Sequence, residues 1–230
     1  MTSKVFLDAP CTVVLGGGGV RGIAHVGVLR ALAECGVQVR EIVGTSIGAI
    51  VGAAVAAGVD WETLSARAAR FTRDDIVMVN RWALLLNGIR QTSVFTGERL
   101  RAFIEEVVPP RDWSELKISL CVNAVDVQSA RVEWFGAGGR QDVALHDAIY
   151  ASSALPLYYP PAELAGRYYF DGGILDPLLL QRADHLRHRD DRQRHQNDRG
   201  HYDLDEGEAR FHESGCARDS HQQVPSVLMT

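Results

Sequence analysis

Several classes of protein are excluded by what this sequence lacks. It has four cysteines, Cys11, Cys35, Cys121 and Cys216, with no C-x-x-C pair among them. Neither a zinc site nor a disulfide framework is therefore expected, and reduced thiols suit a cytoplasmic protein. It lacks an apolar run long enough to cross a bilayer: the most apolar stretch, 47–59, contains Gly48, Gly52 and Gly58 and reads as a buried helix. Residues 1–10 carry Lys4 and Asp8 and lack the apolar run of a cleavable leader. Basic residues are not clustered; 24 Lys and Arg are interspersed with 29 Asp and Glu for a net charge of −5, which gives no footprint for nucleic acid. The 230 residues are 46% hydrophobic, enough for one domain with a substantial core but not for two.

Hydrophobic patterning then sets the organisation. A β-branched run at 12–15 stops at four glycines, after which Ile23, Val26, Leu29, Leu32 and Ala33 recur at helical spacing before Gly36. Residues 37–43 give a second strand, followed by a tight turn at 44–48 and an Ala-rich helix that ends at Gly58. Two successive strand-turn-helix units predict a parallel sheet flanked by helices. Further helices are expected at 60–71, with Asp60 as N-cap, and at 96–108, capped by Thr96 and stopped by Pro109 and Pro110. Alternation at Ile118, Leu120 and Val122 and at Val132 and Trp134 predicts two strands joined near 128–130. A short helix at 145–151 and a strand at 168–170 running into Asp171 complete the pattern. The apolar cluster at 82–89 fits either core packing or a flap over a lipid substrate.

The texture changes after Leu180. From 181 to 223 the large apolar residues are Leu186, Tyr202, Leu204 and Phe211, and six of the eight histidines fall in the last fifty residues. The expected organisation is a folded domain over 1–180 and a polar, disordered tail over 181–230 that contributes nothing to catalysis. Its histidines have no fixed ligand spacing, so adventitious metal binding is the most they predict. So abrupt a loss of hydrophobic period, from about Arg182, predicts a shifted reading frame or a degenerate terminus.

Two motifs carry chemistry. Gly44-Thr45-Ser46-Ile47-Gly48 is a G-x-S-x-G sequence between a strand and a helix, the setting of a nucleophile elbow, in which small neighbours leave room for a strained turn and the helix dipole faces the serine oxygen. The same five residues also fit a glycine-flanked turn with Ser46 as N-cap. The earlier loop, Gly16 to Gly22, can aim backbone N–H groups at an oxyanion. It also contains G-x-G-x-x-G at Gly17, Gly19 and Gly22, with Glu41 where a ribose-binding acid would sit in a dinucleotide fold. A dinucleotide-binding module is therefore the rival reading, although it gives no reason for the serine turn on the next strand. No Gly-Lys-Ser/Thr follows, so a P-loop is not expected.

Taken together, these residues resemble the patatin-like phospholipase family over nearly all of 12–180. Gly17-Gly18-Gly19-Val20-Arg21-Gly22 is similar to its oxyanion motif, residues 44–48 to its nucleophile elbow, Asp171-Gly172-Gly173 to its aspartate motif, and Ala151-Ser152-Ser153-Ala154-Leu155-Pro156 to the block preceding that motif in bacterial members. The resemblance implies a three-layer α/β/α fold with a mostly parallel sheet, and the early loss of apolar pattern leaves room for a missing late strand. It also implies a Ser46-Asp171 dyad that cleaves acyl esters of lipids through an acyl-enzyme. Ser46 is then the nucleophile, Asp171 the base, and Gly17, Gly18 and Gly19 the oxyanion donors. Arg21, Gly22, Gly44, Gly48, Gly172 and Gly173 are supporting positions, and no cofactor or metal is needed. The implied partner is a lipid or acyl-ester substrate, met in transient contact with a membrane surface by a cytoplasmic or peripheral protein. Histidines able to complete a Ser…Asp…His triad lie only in the tail; His25 and His146 precede Asp171 and are expected to be helix-surface or satisfied residues rather than catalysts. A truncated, inactive family member is the remaining alternative.

Overall fold

The computed structural model describes residues 10–72, 95–177, 179 and 182, and the backbone of a strand at Ser226–Met229. The 82–89 cluster and most of the tail lie outside the described residues.

Strand β1 (Cys11–Leu15) runs through the glycine loop and a 3₁₀ turn at Gly19–Ile23 into α1 (Ala24–Glu34). β2 (Val39–Gly44) then leads through Ser46 into α2 (Ile47–Ala56), as the two apolar repeats predicted. α3 (Trp61–Arg70) starts where expected because the Asp60 carboxylate accepts the Thr63 N–H at 2.8 Å. α4 (Glu98–Val107) corrects one detail: its N-cap is Gly97, in the left-handed region at φ 76°, and not Thr96, whose hydroxyl is buried without a partner. β3 (Ser119–Asp126) and β4 (Arg131–Gly136) form the expected hairpin, α5 (Leu145–Ser153) follows, and β5 (Ala162–Leu164) pairs with β6 (Arg167–Asp171).

The parallel part of the sheet is β7 (Ser226–Met229), β1, β2 and β3; β4, β5 and β6 add antiparallel pairings. β7 departs from the expectation of a wholly disordered tail. It pairs with β1 from Thr12 to Leu15, so the position beside β1 is filled by residues from beyond the polar stretch, where Val227, Leu228 and Met229 restore apolar content.

β3 organises the site. β4 lies along it from Cys121 to Asp126, which occupies one edge. β2, paired at Ser119 to Val122, and β6, paired at Ala124 to Asp126, therefore share the other edge end to end. The terminus of β2 and the terminus of β6 meet across Asn123.

All five α-helices contribute to one core, in which Val26, Ile50, Leu64, Ile104 and Ile149 pack against Val13, Ile42, Leu120 and Val122. The opposite face has a small cluster of Val14, Val43, Cys121 and Leu179, flanked by Trp134 and Ala137. Among the described residues no α-helix with an assigned core contact covers this second face.

Candidate active site

The elbow is built by backbone contacts that only glycine permits. A Cβ at Gly44 would lie 2.7 Å from the Ala49 backbone, and one at Gly48 would lie 2.3 Å from the Leu15 carbonyl oxygen. Between them Ser46 takes φ 55°, ψ −127°, a conformation that L-residues rarely adopt and that persists only where the surroundings enforce it. Here they do: the Thr45 N–H donates to Leu15 O, and the Ser46 N–H is shared between the carbonyl and hydroxyl oxygens of Ser152, at 3.1 Å in each case. Ser152 belongs to the Ala-Ser-Ser-Ala block, which thus buttresses the nucleophile position.

Asp171 ends β6 and is 1% exposed. The Ser46 side chain hydrogen-bonds to its carboxyl, and the Gly173 N–H donates to Oδ1 at 2.7 Å. Burial pushes the Asp171 pKa up to about 6, against these two bonds, which favour the charged form. The structure thus brings together the two residues singled out in the sequence. Gly172 is the third tight position, since a Cβ there would lie 2.1 Å from Asn123 Oδ1.

The glycine loop lies against this pair, Gly17 so close that a Cβ on it would sit 3.6 Å from Ser46 Cβ. Gly18 (φ 146°) and Gly19 (φ 56°) occupy conformations reserved for glycine. The Gly17 N–H makes a long bond, 3.4 Å, to Pro177 O, whereas the N–H groups of Gly18 and Gly19 have no such backbone partner among the described residues. Gly22 is buried under Ile47, and Arg21 is exposed at the end of the loop.

His25 is the satisfied residue of the two readings offered for it: it is buried, with Nε2 3.0 Å from Gly16 O, so that it ties the base of the loop to α1. A signal existed: His25 falls one residue before Val26 on the inward face of α1. His146 is partnered by Val108 O at 2.8 Å, away from the dyad. Glu41, the residue on which the dinucleotide reading rested, is buried and ion-paired with Arg182 at 3.3 Å, on the same sheet face as Val43.

No helix among the described residues is long and apolar enough to cross a membrane.

The chain is similar to several known proteins. The family model described as patatin-like phospholipase matches residues 13–184. The chain is 36% identical over 166 residues to an uncharacterised NTE family protein of Mycobacterium tuberculosis, covering 72% of this chain and 43% of that one. It is 35% identical over 178 residues to patatin-like phospholipase domain-containing protein 7 of Rattus norvegicus, covering 76% and 13%. It is 32% identical over 176 residues to lysophospholipase nte1 of Aspergillus fumigatus, covering 76% and 11%. The chain therefore spans less than half the length of each of these relatives. Among solved structures, VipD from Legionella pneumophila superposes with a TM-score of 0.55 at 15% identity, over 74% of this chain and 46% of that one, which shows the shared fold.

Proposed function

The chain belongs to the patatin-like phospholipase family, and from that premise we propose that it is a serine hydrolase cleaving acyl esters of lipids, of the phospholipase A, lysophospholipase or esterase type. The observation that carries the reading is the juxtaposition of Ser46, held at φ 55° on the turn into α2, with the buried Asp171 carboxyl at the end of β6. A carboxylate with the usual pKa near 4 is a weak base for a hydroxyl; burial moves Asp171 toward neutral pH and makes proton transfer less uphill.

In the first half-reaction Asp171 takes the proton of Ser46 Oγ as that oxygen bonds to the ester carbonyl carbon. The negative charge on the former carbonyl oxygen is met by the N–H groups of Gly18 and Gly19 and by the N-terminal dipole of α2. Gly17, whose N–H already turns toward Pro177, contributes mainly close approach. Collapse breaks the bond to the alcohol, which leaves with the proton from Asp171. Water then gives a proton to Asp171 and attacks the acyl-enzyme, and the fatty acid departs as the proton returns to Ser46. Exposed Leu155, Leu157, Tyr158, Ile174 and Leu175, on the segments flanking the block and the aspartate motif, support brief contact with a lipid surface.

The test is labelling by a fluorophosphonate together with hydrolysis of a soluble ester. Wild type should label, whereas Ser46→Ala should not, and Asp171→Asn should lose several orders of magnitude in rate because dyad members act as a unit. Equal labelling of Ser46→Ala would remove it as nucleophile. Asp171 must be ionised to act, so the wild-type rate should rise about tenfold from pH 5 to pH 7.

A further inference from the structure

The end of α5 grips the backbone of both reacting residues. Ser152 and Ser153 close that helix and Ala154 follows it. The Ser46 N–H donates to Ser152, and the Asp171 N–H donates to the Ala154 carbonyl at 3.0 Å. Nucleophile and base, far apart in sequence, are thus fastened within three consecutive residues of a single turn.

Helix ends leave carbonyl groups without intrahelical partners, so the Ser152 and Ala154 carbonyls are available whatever side chains stand there. The Ser152 hydroxyl is different, because the sequence has to supply it. It accepts the Ser46 N–H at 3.1 Å. The N–H groups of Gly48, Ala49 and Ile50 turn back to the Thr45 and Ser46 carbonyls, whereas the Ser46 N–H leaves α2 and reaches across to α5. A residue at φ 55° stays there only while its surroundings hold it. Ser152 is 0% exposed and Ser46 9%, so solvent does not readily replace a lost acceptor. The next residue supplies a contrast: Ser153 is also buried, yet its hydroxyl has no partner among the described residues. Of two neighbouring buried hydroxyls, one engages the nucleophile and the other engages none of the described groups.

We infer that Ser152 is a positioning residue for the reaction: its hydroxyl holds Ser46 in the strained conformation that aims Oγ at Asp171, and the Ser153 hydroxyl takes no part. The inference rests on the acyl-hydrolase reading above and adds to it a side chain that touches neither substrate nor base. Loss of this bond frees one member of the dyad while Ala154 still fastens the other, so the oxygen drifts relative to its base. A displacement of about 1 Å can cost about a hundredfold in rate.

The experiment compares Ser152→Ala with Ser153→Ala. Each removes one hydroxyl, keeps Cβ and places the best helix former in α5, so both should fold. On p-nitrophenyl acetate, Ser152→Ala should lower kcat about tenfold to a hundredfold with KM within about twofold, and should slow fluorophosphonate labelling by a similar factor. Ser153→Ala should match wild type within about twofold. Equal losses in the two variants, or a Ser152→Ala protein that melts earlier but keeps its kcat, would overturn the assignment and leave the dyad standing. A second readout needs no chemistry: the Ser46 amide proton should exchange with solvent at least tenfold faster in full-length Ser152→Ala than in wild type, and at the wild-type rate in Ser153→Ala. Unaltered exchange in Ser152→Ala would overturn the clamp. Faster exchange there, in a protein whose wild type neither labels nor cleaves any ester, would keep the clamp and defeat the hydrolase reading.

Discussion

The two faces of the sheet differ in what covers them. On one, Val13, Ile42, Leu120 and Val122 meet side chains from all five α-helices in a single apolar core. On the other, Thr12 and Glu41 are register partners, and among the described residues Asn123 is buried with both amide atoms unpaired and cover comes from Leu179 and from Arg182, which bonds to Glu41 and the Ala137 carbonyl. Burial on this second face also lifts the Cys121 thiol to about 12, which makes it inert as a nucleophile. The helical face gains its stability from packing. The second face instead fastens, through Arg182, the chain that leaves Asp171.

This contrast can be broken experimentally. Ile149→Ala on the helical face should cost about 3–4 kcal/mol, and Leu179→Ala on the other nearer 2, because a small cluster can collapse around the deletion; chemical denaturation measures both. Equal losses would mean that the two faces are packed alike.

The second test concerns Asp171. Its folded pKa of about 6 lies above the ordinary aspartate value of about 3.9, so the folded protein binds this proton more tightly than the unfolded chain. Its contribution is favourable at low pH, is lost as pH rises through 4 to 6, and above that opposes folding by up to about 3 kcal/mol. Asp171→Asn should therefore be inactive yet more stable than wild type at pH 8, with the difference shrinking by pH 4. A variant less stable at every pH would show that the carboxylate serves mainly as a structural acceptor.

Arg182→Met should cost about 1–3 kcal/mol by withdrawing a partner from buried Glu41, and adding Glu41→Gln should restore part of it. Full additivity of the two would argue that the ion pair contributes nothing. The smallest effect, about 1 kcal/mol, is expected for Asp60→Ala, which removes a cap on the helical layer and leaves the second face untouched. Thermal melts suffice to detect it.

The helical face was the more legible one in the sequence. Its helices announce themselves by local periodicity, and the elbow by glycines whose need arises within five residues. Asp171 was readable because a strand runs straight into Asp-Gly-Gly. The second face depends on distant pairs: nothing near Glu41 signals that its partner lies 141 residues away, so an acid in a strand was open to a ribose-binding reading. β7 was hidden because four residues after a polar stretch carry too short a period to register. The Gly97 cap was missed since threonine is the commoner signal, whereas here a left-handed residue turns the chain into α4. The antiparallel entry of β6, which delivers Asp171 to the elbow, follows from strand order, and local patterns do not encode strand order.

β3 also works as a gauge. Val122 is matched to Gly44 of β2 and Ala124 to Asp171 of β6, so a single residue, Asn123, sets the interval between the ends of the two strands that carry Ser46 and Asp171. One residue inserted there would slide the base strand by about 3.3 Å and turn its side chains to the opposite face. A length change at 123 would therefore part Ser46 from Asp171 while leaving both residues in the chain.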